Sequence, residues 1–246
     1  QGDDITTNPG SNKQAAAEID RFAPVNSNKG VKDCWADHYA IIKAANFIIL
    51  NASKTPTDET SMKQAIGQAK FWRAYAYFTL VRIFGDIPLT LDNENDDFTM
   101  TPSPVGKVYE QIVADLTSEE CESLPESYKD APAFLNGVNV YVTKAALQST
   151  RAAVYMAMAG WPLEKGASYY AKAAEEAKKV IEGAQNGTYD IRMDDNYYDV
   201  YAMSNNYNKE TILGINYSPN VDWVQDSQLT SCNQFESIGG WGDAWG

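Results

Sequence analysis

Residues that build metal centres and disulfide frameworks are scarce in this chain. Its 246 residues include three cysteines, Cys34, Cys121 and Cys232, which form no Cys-x-x-Cys pair, and a single histidine, His38. A single histidine excludes zinc sites that need two imidazoles. A catalytic triad with a histidine would have to use His38. The cysteines identify no compartment, because an odd count leaves at least one thiol unpaired. No metal site, cofactor or catalytic residue is predicted.

Other absences narrow the function further. The sequence contains no GxGxxG, Walker A or GxSxG motif, so nucleotide binding and α/β-hydrolase chemistry have no support. Its longest apolar run, residues 44–50, is interrupted by Asn46, whereas a membrane-spanning helix needs about 20 apolar residues. No transmembrane helix and no signal peptide are predicted.

Positive charge is also scarce, and it is unevenly placed. The chain has 20 Lys and Arg against 33 Asp and Glu, a net charge of −13, and residues 210–246 contain five acidic residues and no basic one. Nucleic acids and anionic lipids bind basic surfaces, so neither is a predicted partner. With 44% apolar residues the chain is expected to be globular, as one large domain or two small ones.

Five segments between residues 31 and 187 have the period of an α-helix. The strongest is expected to start after Thr57 as its N-cap and to end at Gly85, a preferred C′ residue. Its apolar residues form two stripes, of which one ends at Ile83 and the other begins at Phe71. A helix that is apolar on two faces is expected to lie between neighbours.

The later helices have comparable start and stop residues. Ser103 and Pro104 predict an N-cap and a first helical position, and Thr143 opens a helix that ends at Gly160. A further helix is predicted over about residues 165–182. Its predicted inner face consists of Tyr170, Ala173, Ala174, Ala177, Val180 and Ile181.

Paired helices with alanine at their contact positions are typical of stacked tetratricopeptide-like hairpins. The predicted fold is therefore mainly α, with long loops and little β. Three regions are expected: a loop region over residues 1–30, a helical scaffold over 31–187, and a loop-rich, tryptophan-containing segment over 188–246. One short strand-like run lies at residues 211–217.

The strongest helix and the turn that follows it, residues 69–89, read AKFWRAYAYFTLVRIFGDIPL. This RAYxYF-type helix, which closes on a GDxPL turn, resembles the SusD/RagB family. Other blocks stand in the family's order, at residues 35–46, 108–116, 142–155, 170–181 and 208–212. The resemblance covers nearly the whole chain. Members of this family are outer-membrane nutrient-binding lipoproteins of gut and oral Bacteroidetes.

The resemblance implies a function without catalysis. It implies a SusD-like helical superhelix that captures glycans at the cell surface and delivers them to a SusC-like TonB-dependent outer-membrane transporter. Family members carry a lipidated cysteine near the mature N-terminus and are considerably longer. The chain is therefore expected to be a fragment that lacks the lipid anchor, its route to the membrane, and the C-terminal region where the ligand site is completed.

The glycan-binding residues are expected in the last segment. Sugar rings stack their C–H faces on aromatic rings while their hydroxyl groups meet polar side chains. The predicted ligand residues are Trp223, Trp241, Trp245, Asp243 and Tyr217. Packing of these tryptophans against a core, or against the absent C-terminal region, is the alternative.

Structural roles are expected for the other conspicuous residues. Trp35 and Trp72 lie on apolar helical stripes and are predicted core residues, while Trp161 is predicted to be a packing wedge at a helix end. Arg73 and Arg82 are predicted to form ion pairs between helices.

The acidic segment 92–97 does not match a calcium loop. Its sixth position is Asp97 in place of glycine and its twelfth is Ser103 in place of glutamate, so a solvated loop is predicted. His38 is expected to be structural or solvent-facing.

Two further functions remain open from the sequence. A helical-repeat scaffold that binds a protein partner and no sugar is the first. A glycoside hydrolase, which needs two carboxylates about 5–10 Å apart, is the second, although no pair of acidic residues stands out.

Overall fold

The computed structural model describes residues 13–93, 100–128, 134–135, 138–139, 141–200, 202, 205 and 208–215. Its elements are α1 (Gln14–Asp20), α2 (Lys29–Asn51), α3 (Glu59–Phe84), α4 (Val105–Leu116), α5 (Glu119–Glu122), β1 (Phe134–Leu135), β2 (Val138–Asn139), α6 (Lys144–Ala159), α7 (Ala167–Gln185) and α8 (Tyr197–Val200). β1 and β2 pair antiparallel. The predicted mainly helical fold with little β structure is confirmed. Among these helices none is long and apolar enough to cross a membrane.

The chain divides into two compact units, residues 1–37 with 216–246, and residues 38–215. The described part of the first unit differs from the loop expected over residues 1–30, because it contains α1 and the start of α2. The buried Asn28 holds these helices: its Nδ2 donates to the Ala15 carbonyl at 3.0 Å, and its Oδ1 accepts from the Val31 N–H at 3.1 Å. Helix α1 has seven residues and no side-chain cap, so the usual start signal is missing.

Helix α3 lies in the core of the second unit, where it packs against α4 and α5. It begins one residue later than predicted, because Asp58 and not Thr57 is the N-cap. The Asp58 carboxylate accepts a hydrogen bond from the Ser61 N–H at 2.9 Å, and this bond lowers the pKa of Asp58. The predicted end is confirmed: Gly85 has φ +73°, and its N–H donates to the Val81 carbonyl.

The two apolar stripes of α3 are buried at their centres. Phe71 and Tyr77 are inaccessible to solvent, as is Leu80 on the first stripe. Ile83 at the end of that stripe is exposed, and Trp72 is only half-buried, so the prediction of a core position is wrong for these two residues. The helix is therefore covered most completely around its middle turns.

Helix α4 begins at Val105, one residue later than predicted, and its N-terminus is capped from a distance. The Val105 N–H donates to Asp86 Oδ1 at 2.9 Å, so the aspartate of the GDIPL turn supplies the cap expected from Ser103. Ser103 instead forms two backbone hydrogen bonds with Ile87 as an isolated β-bridge. The prediction that Ser103 caps α4 is therefore wrong. The backbone of Ser103 is paired with Ile87, and Asp86 accepts the hydrogen bond at the start of the helix.

Helices α6 and α7 form a second hairpin, after the one formed by α3 and α4. Helix α6 follows Thr143 and ends before Gly160, as predicted. Helix α7 starts two residues later than expected, because Gly166 has φ +68°, which lies outside the helical region. Tyr170 and Ile181 are exposed, contrary to the predicted inner face.

The buried face of α7 is set by a charge. Ala173, Glu176, Val180 and Gly183 are its buried residues, at spacings of three or four. Glu176 accepts from Arg151 of α6, whose Nε also donates to the Leu116 carbonyl at 2.9 Å. A pattern built on apolar residues alone omits Glu176 and so rotates the predicted face.

Residues 211–215, the described part of the predicted strand at 211–217, form a bend and irregular backbone and no strand. The Asn208 side chain accepts from the Glu210 N–H at 3.0 Å, and the Tyr128 hydroxyl donates to the Ile212 carbonyl at 2.7 Å. These bonds satisfy the local backbone from side chains, so strand pairing is not needed here.

A buried guanidinium joins three helices of the second unit. Arg73 Nε and Nη2 donate to the two carboxylate oxygens of Asp115 on α4 at 2.8 and 2.6 Å, and Nη1 donates to Asn46 Oδ1 on α2 at 2.8 Å. Arg73, Asp115 and Asn46 are all buried. The ion pair between helices predicted for Arg73 is confirmed.

We expect Asp115→Asn to lower the free energy of unfolding by about 3 kcal/mol, because it leaves the Arg73 charge buried without its counter-charge. Guanidinium denaturation followed by circular dichroism measures this loss. Glu110→Gln, in the exposed Lys107–Glu110 pair, is the matched control and should change stability by less than about 0.5 kcal/mol. Equal effects of the two substitutions would contradict the assigned role of the buried pair.

Helices α3 and α5 approach too closely for a side chain at Gly67. A Cβ added there would lie 2.3 Å from the Glu120 carbonyl oxygen. The buried Cys121 lies at the same contact, and its thiol donates to the Gly67 carbonyl at 3.4 Å. Gly67 is therefore required by packing, although glycine is a poor residue for a helix interior.

Gly67→Ala should accordingly destabilise the protein by about 2 kcal/mol, since the clash outweighs the better helix propensity of alanine. Gly106→Ala on α4 is the control, because its Cβ would meet only Leu163 at 3.7 Å. That control should be neutral or stabilising in the same denaturation assay. A stable Gly67→Ala variant would show that the two helices separate at little cost.

Candidate functional site

The ligand residues predicted from the sequence lie outside the described residues. Trp223, Trp241, Trp245, Asp243 and Tyr217 all fall in the segment 216–246. Their assignment to glycan binding stays a prediction. The second unit nevertheless carries surfaces on which a ligand site can be built.

The residues that carry the family resemblance meet around the segment after Gly85. The Tyr39 hydroxyl donates to the Pro88 carbonyl at 2.7 Å, and the Tyr77 hydroxyl both donates to the Thr90 carbonyl and accepts from its N–H. Burial raises the pKa of Tyr39 and of Tyr77, so both hydroxyl groups stay protonated as donors. The motif therefore fixes the turn after α3, and its polar groups are used within the protein.

A groove with a volume of about 630 Å³ lies between α3, α6 and residues 210–213. This volume is within the range of small-molecule sites. Helix α3 contributes Tyr75 and Arg82, α6 contributes Ser149 and Thr150, and the turn after Asn208 contributes Glu210. Guanidinium, hydroxyl and carboxylate groups thus line one groove.

Two charged side chains of this groove have unused hydrogen-bonding capacity. Glu210 Oε2 is buried and has no hydrogen-bond partner among the described residues. Arg82 is exposed and lies over the Phe78 ring at 5.1 Å, and the described residues place no carboxylate against it. The ion pair predicted for Arg82 is therefore not found among the described residues. A buried acceptor without a donor is costly.

A second groove of about 570 Å³ adjoins the first and shares Phe78, Arg82 and Ala153 with it. Its other lining residues are mostly alanines of α6 and α7, with Met156 and Tyr170 exposed. The surface along α3 and α6 is therefore polar near Glu210 and apolar towards α7. Sequence reasoning missed both grooves, because α3, α6 and residue 210 are far apart in the chain.

Other predicted roles changed once side chains were placed. Trp35 is half-buried, in place of the predicted core position, and Trp161 is 84% exposed, so it wedges into no described core. His38 is half-buried. Of the acidic segment 92–97, residues 94–97 lie outside the described residues. The described residues bring together no three His, Cys, Asp or Glu side chains that could hold a metal ion.

The paired helices and their lined grooves define a helical-repeat protein with ligand-sized surface depressions. The chain belongs to the SusD-like family: the family described as "Starch-binding associating with outer membrane" matches residues 4–156.

Similar proteins agree with this assignment. SusD-like protein P2 of Formosa agariphila is 30% identical over 81% of this chain and 36% of its own length. A SusD superfamily protein from Parabacteroides distasonis has a TM-score of 0.71 at 27% identity, over 83% of this chain and 41% of that one. A structure solved with a xylogluco-oligosaccharide has a TM-score of 0.72 at 23% identity, over 89% and 41%, which shows a common fold. The chain thus spans little more than a third of the curated relative.

Replacing Glu210 should stabilise the protein. Glu210→Met removes a buried oxygen that has no partner among the described residues. It also keeps the size of the side chain, so the free energy of unfolding should rise by about 1 kcal/mol. Chemical denaturation measures the change, with Glu182→Met on the exposed face of α7 as the control. A loss of stability in Glu210→Met would show that the carboxylate is already paired.

Proposed function

We propose that this chain is part of a non-catalytic protein that binds oligosaccharides at the cell surface and passes them to a SusC-like TonB-dependent outer-membrane transporter. One observation carries the proposal. The family whose description names starch binding and outer-membrane association matches more than half of the chain, residues 4–156.

The chemistry of the groove between α3 and α6 supports a neutral, hydroxyl-rich ligand. Arg82 offers donors, and the hydroxyl groups of Ser149 and Thr150 offer both donors and acceptors. Because the groove holds one acidic and one basic side chain, it does not favour an ion of either sign. The acidic segment 210–246 also favours a neutral sugar over a polyanion.

The residues that line this groove support sugar binding without hydrolysis. Glycoside hydrolysis needs two carboxyl groups on either side of the bond to be cleaved. Glu210 is the one carboxylic acid among the described lining residues. The groove also offers no histidine, since His38 is not among those residues.

The second part of the proposal is delivery of the bound oligosaccharide to the transporter. The protein would be held at the outer membrane by a lipid anchor, and the helical scaffold would pack against the transporter. Among helical-repeat proteins such packing surfaces are common. The same surface would serve the alternative function, a scaffold that binds a protein and no sugar.

Isothermal titration with a malto-oligosaccharide and a xylogluco-oligosaccharide tests sugar binding, and saturable binding of at least one is expected. Trp223→Ala, Trp241→Ala and Trp245→Ala should each weaken it about tenfold, because a stacked ring contributes about 1.4 kcal/mol. Trp161→Ala, which removes an exposed ring at the end of α6, is the control and should bind like the wild type.

Three other outcomes would contradict parts of the proposal. A wild-type chain that binds neither sugar would favour the protein-binding scaffold. Release of new reducing ends during incubation would identify a hydrolase. Full affinity in the three tryptophan variants would leave sugar binding intact and would refute the predicted ligand residues.

A further inference from the structure

The turn that ends α7 contains an asparagine followed directly by a glycine. Asn186 is the residue after α7, and Gly187 follows it with φ +79°. Both residues are exposed, as is Thr188. Among the described residues no other asparagine precedes a glycine, since the second Asn-Gly pair of the sequence, residues 136–137, lies outside them. Water therefore has access to the Asn186 amide and to the peptide bond that follows it.

An Asn-Gly sequence can change covalently without an enzyme. The glycine nitrogen loses its proton to water and bonds to the side-chain carbonyl carbon of the asparagine, and ammonia leaves as the Cγ–Nδ2 bond breaks. Water then opens the five-membered succinimide at one of its two carbonyl groups. Opening at Cγ gives aspartate, whereas opening at the main-chain carbon gives isoaspartate, in which the chain runs through Cβ. Glycine permits this ring closure because it carries no side chain that obstructs its nitrogen.

A single weak hydrogen bond holds the Gly187 nitrogen in its folded position. The ψ angle of Asn186 is −3°, so the Gly187 nitrogen eclipses the backbone nitrogen of Asn186, whereas the ring requires it to eclipse Cβ. Ring closure thus needs rotation about the Cα–C bond of Asn186. The rotation breaks the bond from the Gly187 N–H to the Ala184 carbonyl, which at 3.4 Å is longer than most such bonds. Helix ends fray at such positions, so the rotation is accessible in the folded chain.

The side chain of Asn186 is prepared for the same step. Its Oδ1 accepts a hydrogen bond from the Thr188 N–H at 2.9 Å, and this bond draws electron density from the carbonyl carbon that is attacked. Among the described residues nothing binds its Nδ2, the group that leaves. By contrast, the Nδ2 atoms of Asn46 and Asn205 each donate to two acceptors.

We propose that Asn186 is a site of spontaneous covalent modification, where the folded chain deamidates through a succinimide to isoaspartate and aspartate. The reactants are the Asn186 side chain, the Gly187 nitrogen and water, and the products are the altered chain and ammonia. The change needs no ligand or partner and is independent of the proposed function.

The modified residue disturbs a closely packed turn. The Tyr189 N–H donates to the Gly183 carbonyl at 2.9 Å, and the hydroxyl of the buried Tyr189 donates to Gln148 of α6 at 2.9 Å. A Cβ at Gly183 would lie 2.3 Å from the Tyr189 ring, so the turn has no spare room. Isoaspartate adds one atom to the backbone of this turn, and both products place a negative charge at the carbonyl end of α7, where the helix dipole disfavours it. The contact of Tyr189 with α6 is therefore loosened after modification.

Peptide mapping of the full chain tests the proposal after incubation at neutral pH for increasing times. Mass spectrometry with electron-transfer fragmentation distinguishes isoaspartate from aspartate. The peptide that contains Asn186 should gain about 1 Da. Isoaspartate should be present, because direct hydrolysis of the side-chain amide cannot form it. Asn208, which precedes Lys209, should convert at least about tenfold more slowly, since the lysine side chain obstructs ring closure.

Asn186→Gln is the matched control, because it keeps an exposed amide but would need a six-membered ring, which closes far more slowly. It should show no mass gain at residue 186 over the same time. Hydrogen–deuterium exchange of the peptide that contains Tyr189 should become at least about threefold faster in the aged wild type. In the aged variant this exchange should stay unchanged.

Three results would overturn the inference. An unmodified Asn186 in the folded chain, after a time in which a synthetic peptide of residues 180–192 is converted, would show that the end of α7 stays closed. Conversion to aspartate alone would exclude the succinimide route. Unchanged exchange at Tyr189 in a converted chain would show that the turn tolerates the added backbone atom. None of these results would affect the proposed function.

Discussion

The helical core depends on how a buried positive charge is neutralised. Arg73 extends from the middle of α3 into a site where water cannot solvate it, and its guanidinium is satisfied by Asp115 of α4 and Asn46 of α2. Gln111 adds a donor to the same carboxylate. A buried ion requires such complete pairing, so the relative placement of three helices follows from one side chain. The geometry of the turn after α3 and the cap on α4 are built on that placement.

The second hairpin, formed by α6 and α7, also contains a buried arginine that is neutralised by acidic residues. Arg151 of α6 is buried and contacts Glu176 of α7 and Glu122 of α5, while its Nε binds the Leu116 carbonyl. In both hairpins the arginine lies on the first helix and an acid on the second. Both hairpins therefore share a buried arginine that is paired with an acid on the next helix, although their sequences do not repeat at a regular spacing. The RAYxYF and GDxPL segments serve this architecture, because their polar groups form hydrogen bonds within the protein.

Periodicity and stop residues predicted most of the helices, as Gly85 and Gly160 illustrate. Several of the errors have a common cause, because they involve a partner distant in sequence. Asp86 caps a helix that begins 19 residues later, and Glu176 is buried because Arg151 reaches it. The groove with Glu210 was invisible for the same reason.

The close approach of α3 and α5 at Gly67 has a chemical consequence as well as a steric one. It encloses the Cys121 thiol against the Gly67 carbonyl, and burial raises the pKa of that thiol to about 11. Thiolate is the form that reacts with oxidants and disulfides. While the chain is folded, the contact that sets the helix spacing therefore keeps Cys121 out of disulfide exchange, even in an oxidising medium.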